Sequence, residues 1–311
     1  SEAQAQVAVR GASGGTGQPL RFSPDQPLVS RLALYVLLIR RRGCRSGHIP
    51  TRATVRGHLG PEQLPGCLGC DVVGVPAGVP RKPGRTRDDL VNTSASTGAP
   101  LAAACAQHRP EAMICVISNP VNSTVPIATD VFKKHGAYDP NRIWEHWTTA
   151  SFPRATTFTA ELKCVDPVRV NPVVGSLAGK TITPISQCTP KVDLPQDPLA
   201  AVSGRVQEAG EVVKARAGQA CTPVHACAAA GLGSSLVDAM NGKEAVVQCF
   251  VKSQEAGCAC FSTSLLLGEK GIKKNLGIGK VSPFGEKMIA EAIPRLKASI
   301  KKGEEFVKNL K

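Results

Sequence analysis

Apolar residues fall in short continuous blocks separated by polar and glycine-rich turns. Val7 to Val9, Leu32 to Ile39, Cys70 to Val75 and Met113 to Ser118 are such blocks. They lack the alternation of a half-exposed strand and suit strands buried on both faces. Leu101 to Gln107 fits a helix between the last two. After about residue 145 the pattern changes to longer helices and loops. Near the end, Met288, Ile289, Ala292, Ile293, Leu296 and Ile300 recur at helical spacing, which predicts an amphipathic helix with a lysine-rich outer face. Alternating strands and helices predict a doubly wound parallel sheet.

The first strand block is followed by Gly11-Ala12-Ser13-Gly14-Gly15-Thr16-Gly17. Strand, glycine-rich turn and helix start form a unit whose backbone N–H groups can approach a diphosphate. The helix expected after the turn is cut short, because Pro24 and Pro27 stop it early. A dinucleotide site also asks for an acidic residue at the end of the second strand, to accept hydrogen bonds from the adenosine ribose. The run Leu34-Tyr35-Val36-Leu37-Leu38 offers no carboxylate.

The chain has 311 residues, enough for about two domains at roughly 150 residues each. At 42% hydrophobic it can bury a substantial core, which excludes wholesale disorder. The longest apolar run, Leu32 to Ile39, is far short of the roughly 20 residues that span a membrane, so no membrane helix is expected. Net charge is +14, but the basic residues are dispersed apart from Arg40 to Arg42 and the C-terminus. Aromatics are only 4% and no nucleic-acid-binding module is recognisable, so nucleic acid is not an expected partner. Of twelve cysteines only Cys67 and Cys70 show C-x-x-C spacing, with no second pair, so no metal is expected. The thiols read as reduced and intracellular. The chain starts at Ser1 rather than Met, without a cationic targeting segment, and reads as a processed form or a fragment.

Six segments in order carry a resemblance: GASGGTG, then PAGVPRKPGRTRDDL (76–90), ISNPVNSTVPI (117–127), AGKTITPISQCTPK (178–191), SLVDAMNGKEAVV (235–247) and KNLGIGKVSPF (274–284). Together they resemble the malate dehydrogenases of the mitochondrial type, within the lactate/malate dehydrogenase superfamily. The likeness lapses over 36–47, 145–157 and 218–234. It implies an N-terminal Rossmann-type parallel sheet over 1–144 that binds NAD, and a C-terminal α+β substrate domain over 145–311. It implies reversible oxidation of malate to oxaloacetate with hydride transfer to NAD, a homodimer, and the mitochondrial matrix. By resemblance Arg81 grips the distal carboxylate of a small dicarboxylic acid, and Arg87 polarises the reacting carbonyl. Asn119 contacts substrate and Arg154 pairs with the C1 carboxylate. A bidentate guanidinium suits such an acid. The cofactor positions are Gly11, Ala12, Ser13, Gly14, Gly15, Thr16, Gly17, Val36, Ser94, Ile117, Ser118 and Asn119.

Several of these positions depart from the family's pattern. The proton-accepting histidine is Leu177, and its aspartate partner is Ser151, with Pro153 in an expected helix. The ribose-binding aspartate is Val36, and an asparagine that touches the cofactor is Ser94. No catalytic acid–base residue is therefore intact. Losing such assistance costs roughly 10²–10⁴-fold in rate, and the second loss adds less because the pair acts as a unit. His225 aligns near the nicotinamide and is read as a helix or loop histidine without catalytic duty. The expectation is a weakened NAD site and an impaired malate dehydrogenase, the alternative being an inactive relative that binds a ligand or dimerises. Val36 followed by Arg40 to Arg42 leaves NADP as a second cofactor option. Pro24, Pro27 and Pro153 are expected to interrupt helices at about 3 kcal/mol or more each.

Overall fold

The fold is known from a computed structural model. It describes residues 5–14, 16–17, 20, 29–36, 53–65, 69–78, 90–145, 148–167, 171–174, 185–189, 195–217 and 222–310. Six parallel strands form its centre: β1 (Ala5–Arg10), β2 (Val29–Val36), β3 (Thr54–Leu59), β4 (Val72–Val75), β5 (Met113–Val116) and β6 (Ile143–Glu145). Their spatial order is β6-β5-β4-β1-β2-β3. The chain winds outward from β1 to β3, then crosses back to β4 and winds the other way. That reversal is the topological switch point, where open parallel sheets place their ligands.

The central strands form because both of their faces are covered. Every residue of β4 and β5 is buried. Val73, Val75, Ile114 and Val116 join one apolar cluster, while Val72, Met113 and Cys115 join the other. Burying a valine or isoleucine fully is worth about 1.5–3 kcal/mol. Helices α1 (Val91–His108) and α2 (Val121–Lys134) pack in the first cluster, together with the C-terminal helix α6 (Pro283–Lys308). Helix α5 (Thr222–Met240) covers the second face through Ala229, Leu232, Leu236 and Val237.

The terminal helix expected from periodicity is α6, with Ala292, Leu296, Ile300, Gly303 and Val307 on its buried stripe. Ser282 caps it, its Oγ accepting from the Gly285 N–H at 3.1 Å, and Pro283 fits the first turn. A Cβ at Gly303 would strike the Ser123 carbonyl, so glycine there lets α6 lie directly on α2.

The second half holds more strand than its pattern suggests. β9 (Ala245–Lys252), β10 (Cys260–Gly268) and β11 (Gly271–Gly277) form an antiparallel meander that extends the same sheet beyond β6. A separate pair, β7 (Asn171–Val174) and β8 (Ile185–Thr189), is also antiparallel. Lys273 and Lys274 lie on the edge strand β11, and Arg56 and His58 on the opposite edge strand β3. Charges of this kind discourage edge-to-edge pairing.

Two expectations about helices are corrected. The segment expected over Leu101 to Gln107 starts ten residues earlier, at Val91. Its Ser- and Thr-rich first half bonds its own backbone: Ser96 Oγ donates to the Asn92 carbonyl at 2.8 Å, and Thr97 Oγ1 to the Thr93 carbonyl at 3.1 Å. Pro100 is exposed, so its ring stands in solvent. Nor does Pro153 end its helix. α3 (Thr148–Lys163) runs through it and packs against α4 (Gln196–Ala217) in a small cluster of Ala155, Leu199, Val202 and Val206. Pro24 and Pro27 lie outside the described residues.

Candidate active site at the carboxyl edge of the sheet

β1 ends in the glycine turn. Gly11 has φ +102, a conformation that side chains with a Cβ rarely adopt, and a Cβ there would lie 3.0 Å from Ala77 Cα. A Cβ on Gly17 would run into Ala12 Cα at 2.8 Å and the Gly11 carbonyl. The glycines are thus required by the turn's own closure. Gly11 N and Ala12 N both donate to the Tyr35 carbonyl, at 2.9 and 3.1 Å, and Gly14 N donates to the Gly11 carbonyl at 3.0 Å. These bonds set Val36, the next residue of β2, beside the turn.

On the other side of the switch point, the segment after β4 meets the end of β5. Ile117 N donates to the Val75 carbonyl at 3.0 Å. Ser118 Oγ bonds the Val75 carbonyl at 2.9 Å and also the Ala77 carbonyl. Thr124 Oγ1 donates to the Ser118 carbonyl at 2.8 Å, tying the start of α2 to this point. Asn119 follows, half-buried, joined to Pro120 by a cis peptide bond. Gly78 faces the same spot: a Cβ on it would lie 3.6 Å from Ser94 Oγ and 3.8 Å from Ser118 Cβ.

Val36, the glycine turn, Ala77, Gly78, Ser94, Ile117 and Ser118 therefore gather at one edge. Ser94 is fully buried on α1, and its hydroxyl has no partner among the described residues. A cavity of about 20 Å³ lies beside it, lined also by Ser118, Thr124 and Gly98. That is room for one water.

The substrate-side positions sit on other elements. Ser151 is 2% exposed on α3, with Arg154 half-buried and engaged one turn later. His225 is 5% exposed near the start of α5, which packs against α3. Gly15, Arg81, Arg87 and Leu177 lie outside the described residues, as do Arg40 to Arg42. Among the described residues no group of three or more His, Cys, Asp or Glu is placed to hold a metal, and no helix is long and apolar enough to cross a membrane.

Two positions escaped the sequence reading. Gly78 lies within the 76–90 segment, but only its neighbours Ser94 and Ser118 give it a place at this edge. Arg10 did leave a signal, a charged residue closing an otherwise apolar strand just before the glycine turn.

Two family models match in tandem. The lactate/malate dehydrogenase NAD binding domain matches residues 5–145, and the lactate/malate dehydrogenase alpha/beta C-terminal domain matches residues 148–307. The chain belongs to the lactate/malate dehydrogenase family. Curated members similar to it include "Malate dehydrogenase, mitochondrial" of Felis catus, 68% identical over 99% of this chain and 93% of the relative. Those of Bos taurus and Homo sapiens are 67% and 66% identical over the same shares. Solved structures share the family fold at low identity. The malate dehydrogenase of Aeropyrum pernix superposes with TM-score 0.82 at 17% identity, covering 96% of this chain and 98% of that one. A lactate dehydrogenase of Cryptosporidium parvum, complexed with lactic acid and nicotinamide adenine dinucleotide, gives 0.82 at 18% over 99% of both chains.

The turn is closed by Gly11 against Ala77 and by Gly17 against Ala12 and the Gly11 carbonyl. Val36, which ends β2 beside the turn, carries no side-chain acceptor.

Proposed function

We propose that this chain is a malate dehydrogenase relative that binds NAD and a small dicarboxylic acid at the carboxyl edge of its sheet but turns them over slowly. The convergence of the glycine turn, Ala77, Gly78, Ser94 and Ser118 at the switch point carries the binding half of this reading. The slow chemistry follows from Leu177 and Ser151. On this reading the boundary between cofactor and substrate domains lies at 144/145, the cofactor contacts are those named above, and two copies associate.

The diphosphate end is met after Gly14, because the N–H groups of Gly11, Ala12 and Gly14 are already spent inside the turn. Val36 contributes no acceptor, so NAD is held less tightly, by about 1–2 kcal/mol for a lost charge-assisted hydrogen bond. When bound, the dinucleotide supplies the hydride acceptor. Arg81, Arg87, Asn119 and Arg154 hold and polarise the acid. No side chain at 177 can take the hydroxyl proton, since an alkyl group has no lone pair. Ser151 cannot stabilise a cation as a carboxylate would. Residual turnover then rests on positioning and on the arginines' charge. The mitochondrial names of the relatives support a matrix location.

The same two replacements favour a second reading, a protein that binds ligand or dimerises without turnover. Fluorescence titration with NADH and NADPH, followed by an oxaloacetate–NADH assay, separates the two. Weak NADH binding with slow turnover abolished by Arg81→Ala supports the first. Binding without turnover supports the second, and tighter NADPH binding reassigns the cofactor. No binding of either nucleotide overturns the site.

A further inference from the structure

Arg10 is the last residue of β1 and is 0% exposed. Its Nη1 donates to the Leu101 carbonyl of α1 at 2.6 Å. Nε and Nη2, both buried, have no partner among the described residues. Among the described residues no carboxylate pairs with it, and a guanidinium cannot shed its proton inside a protein. A buried charge without a counter-ion is among the costliest arrangements a fold can hold. A neutral acceptor such as a helix carbonyl eases this only in part. Asp71, just ahead of β4, is engaged elsewhere: it accepts from Gln6 N at 2.9 Å and pairs with Arg109 at 3.1 Å.

The position of this charge matters. Arg10 is joined by a single peptide bond to Gly11, where the glycine turn begins. Its strand lies between β4 and β2, under the switch point. A field from a buried cation is weakly screened, because salt and water do not enter the core. Any anion settling on the turn would meet that field.

We propose that Arg10 is an internal counter-charge for the diphosphate held at the glycine turn. It ties folding stability to occupancy of the site by an anion. This rests on the dinucleotide reading above and extends it to a residue that touches no ligand. Arg10 is a positioning residue in this sense, acting through charge. Two consequences follow. The ligand-free protein is destabilised by Arg10, and a diphosphate relieves part of that cost. A neutral adenosine, lacking phosphate, does not.

The test uses the full chain, Arg10→Met and Arg10→Gln. Gln keeps a donor for the Leu101 carbonyl and removes only the charge. Thermal melts are recorded without ligand, with ADP-ribose, with inorganic pyrophosphate and with adenosine. Both variants should melt higher than the parent when ligand-free. Both should bind ADP-ribose about tenfold more weakly, on the scale of one partly screened charge pair, with a smaller ligand-induced rise in melting temperature. Adenosine should act alike on all three proteins. An ADP-ribose response equal in parent and variants would overturn the proposal while leaving the glycine-turn site standing. Loss of the response in Arg10→Met but not Arg10→Gln would assign the effect to the hydrogen bond and overturn it as well. If neither ADP-ribose nor pyrophosphate stabilises any of the three, the dinucleotide site and this inference fall together.

Discussion

At the residue scale the glycine turn is set by backbone sterics, while the proposed slow chemistry rests on side chains. Gly11 and Gly17 are fixed by closure of the turn, and their absence would be felt in folding. On the proposed reading Val36, Ser94, Ser151 and Leu177 stand where the family has working residues. Val36 is half-buried beside the turn, with its carbonyl accepting from Gly60 N at 3.0 Å. Val36→Asp should therefore keep the strand and return a ribose acceptor, tightening NADH about tenfold by equilibrium titration. Unchanged affinity would remove Val36 from the site. Legibility at this scale followed the backbone. The glycine turn was readable because its spacing answers to sterics. Gly78 was not, because its role is set by Ser94 and Ser118, distant in sequence.

At the element scale, strands buried on both faces were readable and strands at the rim were not. β4 and β5 announce themselves as continuous apolar runs. β3 reads Thr-Val-Arg-Gly-His-Leu, an exposed edge whose pairing to β2 supplies what its composition lacks. β6 is three residues long, and its role as the bridge to β9 depends on a pairing over a hundred residues away. Prolines misled in the same way. Pro153 sits six residues into α3, where the helix loses one backbone bond and continues because α4 and α5 pack on it. Pro153→Ala restores the N–H and removes the ring's clash with the preceding turn. It should raise stability by up to about 3 kcal/mol, seen as a higher melting temperature. An unchanged or lower melt would mean that the ring's packing outweighs the bond.

At the scale of the whole molecule, two large apolar clusters cover the two faces of the sheet, and buried or half-buried titrating groups link the fold to pH. Burial pushes the Cys115 and Cys260 thiols up to about 12, from 9.0, and the Tyr138 hydroxyl up to about 12, from 10.0. Each keeps its proton more firmly folded than unfolded. Their contribution is fully present below pH 9 and drains away as pH rises toward 12, because the unfolded chain ionises first. Melting temperature should be flat from pH 7 to 9 and fall steeply above it. A flat profile to pH 11 would show that these groups are not buried as described.

The central claim is that the fold and binding edge persist while the proton-handling pair is missing. Ser151 is buried, so a lone aspartate there would be an unpaired charge. A histidine at 177 alone would lack its partner. The direct measurement is kcat for oxaloacetate reduction in the parent chain and in the double variant Leu177→His/Ser151→Asp. The account predicts that the double variant gains on the order of 10²–10⁴-fold, well above either single change. Brisk turnover by the parent, or no gain in a folded double variant that binds NADH, would contradict it.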